Sequence, residues 1–295
     1  EYVSGAGTRL LGLVVPAGHE VAIRHQGFDL AYEAVKNNEL GWEGRKFGSG
    51  KMDTRAFLKY GYSPFLEWGG KDFITDSTGS DFSASHTLEY SFGAFAAAQM
   101  AKALDRNRDY EQLINYSKGW EKIFNPENKL IHPRKADGSF IDNFDPRQAW
   151  RGFQEGNALQ YTYYVPHNPA ALINAVGKQD FNTQLNKIFE ASEKDGFGGG
   201  KTIDAFAGIN AIYNHGNQPN LHISWLFNFC GQPWLTQKWT RKICDEFYGA
   251  EPIHGYGYGQ DEDQGQLGSW YVLASLGIFD VKGFTDLRPI VQFGS

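Results

Sequence analysis

A chain of 295 residues with 41% hydrophobic side chains can bury a substantial core, because the buried share of surface rises with length. Its 28 Lys and Arg against 34 Asp and Glu give a formal net charge of -6, which excludes the basic footprint of a nucleic-acid binder. Apolar stretches such as Tyr271–Phe279 fall far short of the ~20 residues that cross a bilayer, so membrane insertion is not expected.

In chain order, Leu11–Val15 alternates as a strand would, and helical spacing of three and four begins in Phe28–Asn38. The Ala-rich segment Ser85–Leu104 predicts a long helix, and Tyr110–Phe124 an amphipathic one. Further helices are predicted over Asn157–Val165, Pro169–Val176, Asp180–Ala191, His222–Phe229, Leu235–Tyr248 and Gln264–Leu276, with a second strand over Pro289–Phe293. Turn-rich loops separate them, notably Gly69–Ser83, Asn125–Ala149, His215–Asn220 and Gly249–Asp261. Short helices alternating with such loops predict an all-α toroid of helical hairpins, and the lack of a fixed-period repeat argues against an open solenoid. No Pro/Ser/Gly-rich linker divides the chain, which predicts one domain over residues 1–295. In a toroid the longer loops gather at one end and build a site there.

Starting at Glu1 without a charged-then-apolar leader, the sequence is expected to be a mature or processed chain. Two cysteines, Cys230 and Cys244, are too few for a disulfide framework and read as inert buried thiols or a single pair. The 15% of aromatic residues serve either a large core or flat faces for sugar rings, and composition does not separate the two.

The stretch Gly255–Trp270, GYGYGQDEDQGQLGSW, carries the densest chemistry. It is no dinucleotide fingerprint, since its glycines have the wrong spacing. Gly200-Lys201-Thr202 ends like a P-loop, but Asp195 occupies the first glycine position. Counted from Asp261 as an EF-hand, the twelfth position is Val272 where a bidentate glutamate is required. Two carboxylates remain, Asp261 and Asp263. Asp263 followed by Gln266 is a capping-box pattern, which predicts an N-cap at Asp263. A carboxylate at a helix N-terminus also stays ionised, as a general base must be, so capping and catalysis are compatible. Glu155, in Phe153-Gln154-Glu155-Gly156-Asn157, lies among aromatic and small residues where desolvation favours a general acid, or it is a surface glutamate. A third loop, His215–His222, concentrates amide oxygens and imidazoles. The amides suit a hard cation or sugar hydroxyls; the histidines would suit zinc, but no third ligand stands at zinc-like spacing.

Taken together, these loops resemble the catalytic half of glycoside hydrolase family 92, the calcium-dependent exo-acting α-mannosidases. The matching segments run in order: Thr87-Leu88-Glu89-Tyr90, Glu155-Gly156-Asn157 through Gln160-Tyr161 to Val165-Pro166-His167, Asn217-Gln218-Pro219, Gly231–Gln237, and Asp261–Gln266 followed by Ser269-Trp270-Tyr271-Val272. The resemblance implies an (α/α)6 toroid, incomplete in this chain, and hydrolysis of mannose-containing glycans, at α-1,2 linkages, with inversion. It implies Glu155 as general acid, Asp263 with Asp261 as general base, substrate contact from Asn157, Gln160 and His222, and calcium near Asn217 and Gln218, where it would hold vicinal mannose hydroxyls. It further implies an exported protein, secreted or periplasmic. Family members carry an amino-terminal β-sandwich domain that this chain lacks, which points to a companion chain or domain. They also usually have glutamate where Gln218 stands. A non-catalytic glycan-binding protein on a degenerate scaffold, and an (α/α)6 glycosidase of other sugar specificity, stay open as alternatives.

Overall fold

The computed structural model describes residues 26–44, 50–67, 78–198, 208–249 and 265–281. Its elements run α1 (Gln26–Leu40), α2 (Thr54–Tyr60), α3 (Ser83–Ala103), α4 (Asn107–Tyr116) and α5 (Gly119–Ile123). A short hairpin, β1 (Phe124–Asn125) with β2 (Leu130–Ile131), follows. Then come α6 (Ala158–Tyr161), α7 (Pro169–Val176), α8 (Lys178–Glu193), α9 (Pro233–Glu246) and α10 (Gln266–Ser275), with 3-10 turns at Gln218–Asn220 and Ile223–Cys230. The fold is therefore all-α, as the spacing predicts. The strands expected at Leu11–Val15 and Pro289–Phe293 lie outside the described residues.

The helix α3 is the central beam. Its small side chains let neighbours approach from several sides, and Ala96, Ala97, Ala98, Met100 and Ala101 are fully buried. A helix apolar all round belongs inside a protein. One cluster closes on it from α1 and α4, through Tyr32, Val35 and Leu113. A second and larger cluster, rich in aromatics, runs from Trp120 and Phe153 through Phe181, Phe189 and Trp225 to Trp239 and Trp270. In it Trp239 stacks on Phe189 with centroids 5.5 Å apart, and its Nε1 donates to Asn186 Oδ1 at 2.9 Å. Cys230 and Cys244 are buried free thiols, and burial pushes their pKa values up to about 12 and about 11.

Three predicted helices are corrected. The helix expected over Tyr110–Phe124 breaks into α4 and α5, because the Ser117 carbonyl leaves the helical ladder to accept from His167 Nε2 at 2.9 Å. Gly119, which opens α5, has no room for a Cβ: one would stand 2.8 Å from both Gly61 O and Ser91 Oγ. The helix expected over Asn157–Val165 stops at Tyr161; Pro166 bars helical backbone at Val165, so the helix could not have reached the predicted end. His222–Phe229 forms 3-10 turns over Ile223–Cys230. There five successive side chains, Ile223 to Phe227, are all buried, so packing on every side sets the backbone. By contrast, Pro169–Val176 forms as predicted, with Asn168 capping Ala171 N at 3.2 Å and Pro169 in the first turn.

Candidate active site

Two segments far apart in sequence meet at Glu155. The residue is half-buried and has φ 55, a left-handed conformation uncommon for a side chain with a Cβ. Its carbonyl accepts from Asn217 Nδ2 at 2.8 Å, which joins the Glu-Gly-Asn loop to the Asn-Gln-Pro loop. From the other side, the loop is stitched to the start of α3. Gly152 N donates to Asp81 O at 2.6 Å, Gly152 O accepts from Ala84 N at 2.9 Å, and Gln154 N donates to Ser85 Oγ at 2.9 Å. Gly156 must be glycine, because a Cβ there would stand 2.7 Å from Gln160 Oε1 and 2.9 Å from Tyr161 Cε2.

Asn157 and Gln160, expected at the substrate, are buried at 0% and 1% exposure. The oxygen of Asn157 caps α6 by accepting from Leu159 N and Gln160 N, while its Nδ2 donates to Ile209 O and Ala211 O at 3.1 and 2.9 Å. The Gln160 amide donates to Gly208 O and Ala211 O at 3.0 and 2.8 Å. Both side chains therefore fasten the 208–211 backbone to the Glu-Gly-Asn loop and α6. His222 is also buried; its Nε2 meets Tyr163 O at 2.9 Å, and burial pushes its pKa down to about 4, so the ring is neutral. Asn217 is buried at 6% exposure and Gln218 is half-buried at the start of a 3-10 turn.

Asp261 and Asp263 lie outside the described residues. The helix that follows them begins at Gln266 with Gly265 at its N-cap, φ 73, so the cap expected at Asp263 falls two residues later. The start of this helix is tied to the same loops. Trp270 Nε1 donates to Leu221 O at 2.8 Å, and Tyr248 Oη donates to Leu267 O at 3.0 Å. Behind these bonds sits a relay with a fixed order. Because Tyr248 donates onward, its oxygen accepts from His215 Nε2 at 2.8 Å, and His215 Nδ1 accepts from Tyr213 Oη at 2.9 Å. Burial pushes the His215 pKa down to about 3, which keeps the ring neutral as this order requires. Sequence reasoning missed Tyr213, Tyr248 and Asn220. Asn220 donates to Asn214 O at 2.9 Å, and only its place in the Asn-rich loop hinted at a role.

Among the described residues no three or more His, Cys, Asp or Glu side chains converge as a metal cluster. The donors near Glu155 are oxygens of amides, the class that suits a hard cation. With its nitrogen committed to Glu155, Asn217 retains its oxygen as the acceptor.

The comparisons with known proteins converge on one family. The family profile described as "Glycosyl hydrolase family 92 catalytic domain" matches residues 14–288. The chain is similar to the family GH92 α-mannosidase BT3965 from Bacteroides thetaiotaomicron, with 27% identity, a TM-score of 0.71, and coverage of 96% of this chain and 32% of that one. It shares its fold with the family GH92 inverting mannosidase BT2199 from the same organism, with 24% identity, a TM-score of 0.75, and coverage of 96% and 37%. A protein of Arthroderma benhamiae called an uncharacterized secreted glycosidase is 25% identical over 287 residues, covering 87% of this chain and 33% of its own length. The chain thus spans about a third of the length of the relatives it matches.

Proposed function

This chain belongs to glycosyl hydrolase family 92, and on that premise we propose that it hydrolyses terminal α-linked mannose from glycans, such as N-glycans, by a single displacement with inversion. The observation that carries the proposal is the junction of the two motif loops, where Asn217 holds the backbone of Glu155 in a left-handed conformation. A strained residue fixed from two sides is the kind of device that aims a catalytic group.

In this reading the Glu155 carboxyl protonates the departing glycosidic oxygen. Asp263, supported by Asp261, takes a proton from the water that attacks the opposite face of the anomeric carbon. The bond to the leaving oxygen breaks as the bond to water forms, and an inverting pair stands roughly 6.5–9.5 Å apart to admit that water. Asn157 and Gln160 act as positioning residues for the loop of the acid, and His222 fixes the Tyr163 backbone. Asn217, Gln218 and the two aspartates would hold calcium, which when bound supplies positive charge to vicinal sugar hydroxyls. The rest of the active site would come from a companion chain or domain that accounts for the remaining length of the relatives. Export from the cell is proposed from the secreted relative.

A second reading, glycan binding without turnover, is favoured by one observation: Gln218 is uncharged where the family usually has glutamate. Proton NMR of the first sugar released separates the readings. The proposal expects β-mannose first and loss of activity in excess chelator. Release of α-mannose contradicts inversion, full activity in chelator contradicts calcium, and binding without any release favours the second reading.

A further inference from the structure

Five residues upstream of Glu155, the chain exposes an aromatic face that the acid–base mechanism does not use. Trp150 is 39% exposed and has φ 66, a left-handed backbone that a bulky side chain rarely adopts. Its ring lies 5.9 Å from that of Phe82, and both line a cleft of about 440 Å3 together with Phe65, Glu67, Asp81 and Arg151. The next residue braces it. Arg151 donates through Nε and an Nη to Glu67 Oε1 at 3.2 and 2.8 Å, and through its other Nη to Asp142 O and Asn143 O, both at 3.2 Å. Its guanidinium also lies 5.6 Å from the Phe65 ring centre. Trp150 is thus held outward by a neighbour whose donors are engaged.

We propose that this cleft is a carbohydrate-ring site, with Trp150 as its platform, and that it takes the sugar on the leaving side of the scissile bond. A pyranose offers one face of C–H groups, which an aromatic plane desolvates, and a rim of hydroxyls, which carboxylates accept from. The cleft supplies both, because Trp150 gives the plane, Phe82 tilts against it at 56°, and Glu67 and Asp81 line the same cleft. Burial raises the pKa of Asp81, as expected of a carboxyl set into a wall and not out in solvent. The leaving-side assignment rests on Glu155 as the acid. A general acid stands at the oxygen shared by the two sugars, and residues 150–155 form one stretch pinned to α3 at Gly152 and Gln154. The backbone that carries Trp150 is therefore fixed to the same helix start as the backbone that carries Glu155.

The test compares an α-linked mannobioside with α-mannosyl fluoride, which has no leaving-side sugar. Trp150→Asn removes the platform with a residue that tolerates left-handed backbone, and Trp150→Phe keeps an aromatic face. The ratio of kcat/KM on the mannobioside to that on the fluoride is expected to fall about tenfold in Trp150→Asn and to recover in Trp150→Phe. An unchanged ratio overturns the leaving-side assignment. Saturation-transfer NMR of the mannobioside on the Glu155→Gln chain provides a readout that needs no turnover. Contact to the reducing-end ring is expected and should vanish when Trp150→Asn is added; contact that persists overturns the cleft itself. If the wild-type chain cleaves neither sugar, the hydrolase reading fails while the NMR result still decides the cleft.

Discussion

The elements bonded to the Glu155 loop carry two buried polar walls, one charged and one neutral. On the α3 side, Asp53 is fully buried and accepts from Ser63 Oγ, with His86 Nδ1 3.1 Å from its other oxygen. On the other side, Tyr213, His215 and Tyr248 pass hydrogen bonds to the Leu267 carbonyl without any charge. Burial alone would depress His86, but the charge and hydrogen bond of Asp53 outweigh it and its pKa is raised. Burial alone would raise Asp53; the charge and hydrogen bond of His86, with help from Ser63 and Tyr90, lower it. Among the described residues His215 has no carboxylate partner, so burial decides and the pKa drops to about 3. Two buried histidines thus shift in opposite directions, and the partner decides which.

The largest effect should come from breaking the charged wall. Asp53→Ala leaves a buried His86 without its counter-ion and is expected to cost about 3–5 kcal/mol in urea denaturation. A loss as small as that of a surface residue would contradict a charged pair. The buried histidines also answer pH with opposite signs. His215 and His222 bind protons in the unfolded chain from about pH 6.5 downward, but in the fold only near about 3 and about 4. Stability should therefore fall with pH across that range, by about 1.4 kcal/mol per pH unit for each histidine. The raised pKa of His86 works the other way. Its contribution is fully present below its unfolded value of 6.5 and is lost as pH rises through the folded value. That of Asp53 is present above 3.8 and is lost as pH falls through its lowered value. His215→Phe is expected to flatten the slope below pH 6.5 by about one proton. It should also cost about 1–3 kcal/mol at neutral pH, because Tyr213 loses its acceptor. The smallest effect is expected on the surface: Arg106 and Asp29, 3.4 Å apart and 51% and 60% exposed, should lose under about 0.5 kcal/mol on Asp29→Asn.

Local signals carried much of the fold. Pro169 behind Asn168 and the buried spacing of Phe181, Leu185 and Phe189 were readable because cap and period are properties of neighbouring residues. The break at Ser117 was not, since its cause is His167, fifty residues on. The same limit applies to the site. The ordered motifs pointed to the loops, yet nothing local in Asn157 or Gln160 shows that their amides close on the carbonyls of residues 208–211. Sequence reading also gave Asp263 the cap that falls on Gly265, because a capping box looks the same whether the chain enters the helix there or two residues later. In sequence Trp150 is one aromatic among many; its exposure and left-handed backbone are properties of the fold.

The central claim is that Glu155 donates the proton to the leaving oxygen. The most direct measurement is turnover by Glu155→Gln on two substrates, an α-linked mannobioside whose leaving group needs that proton and α-mannosyl fluoride whose leaving group does not. A loss of about a hundredfold or more is expected on the mannobioside, the scale of general-acid catalysis, with most of the activity on the fluoride retained. Wild-type turnover of the mannobioside by Glu155→Gln would contradict it.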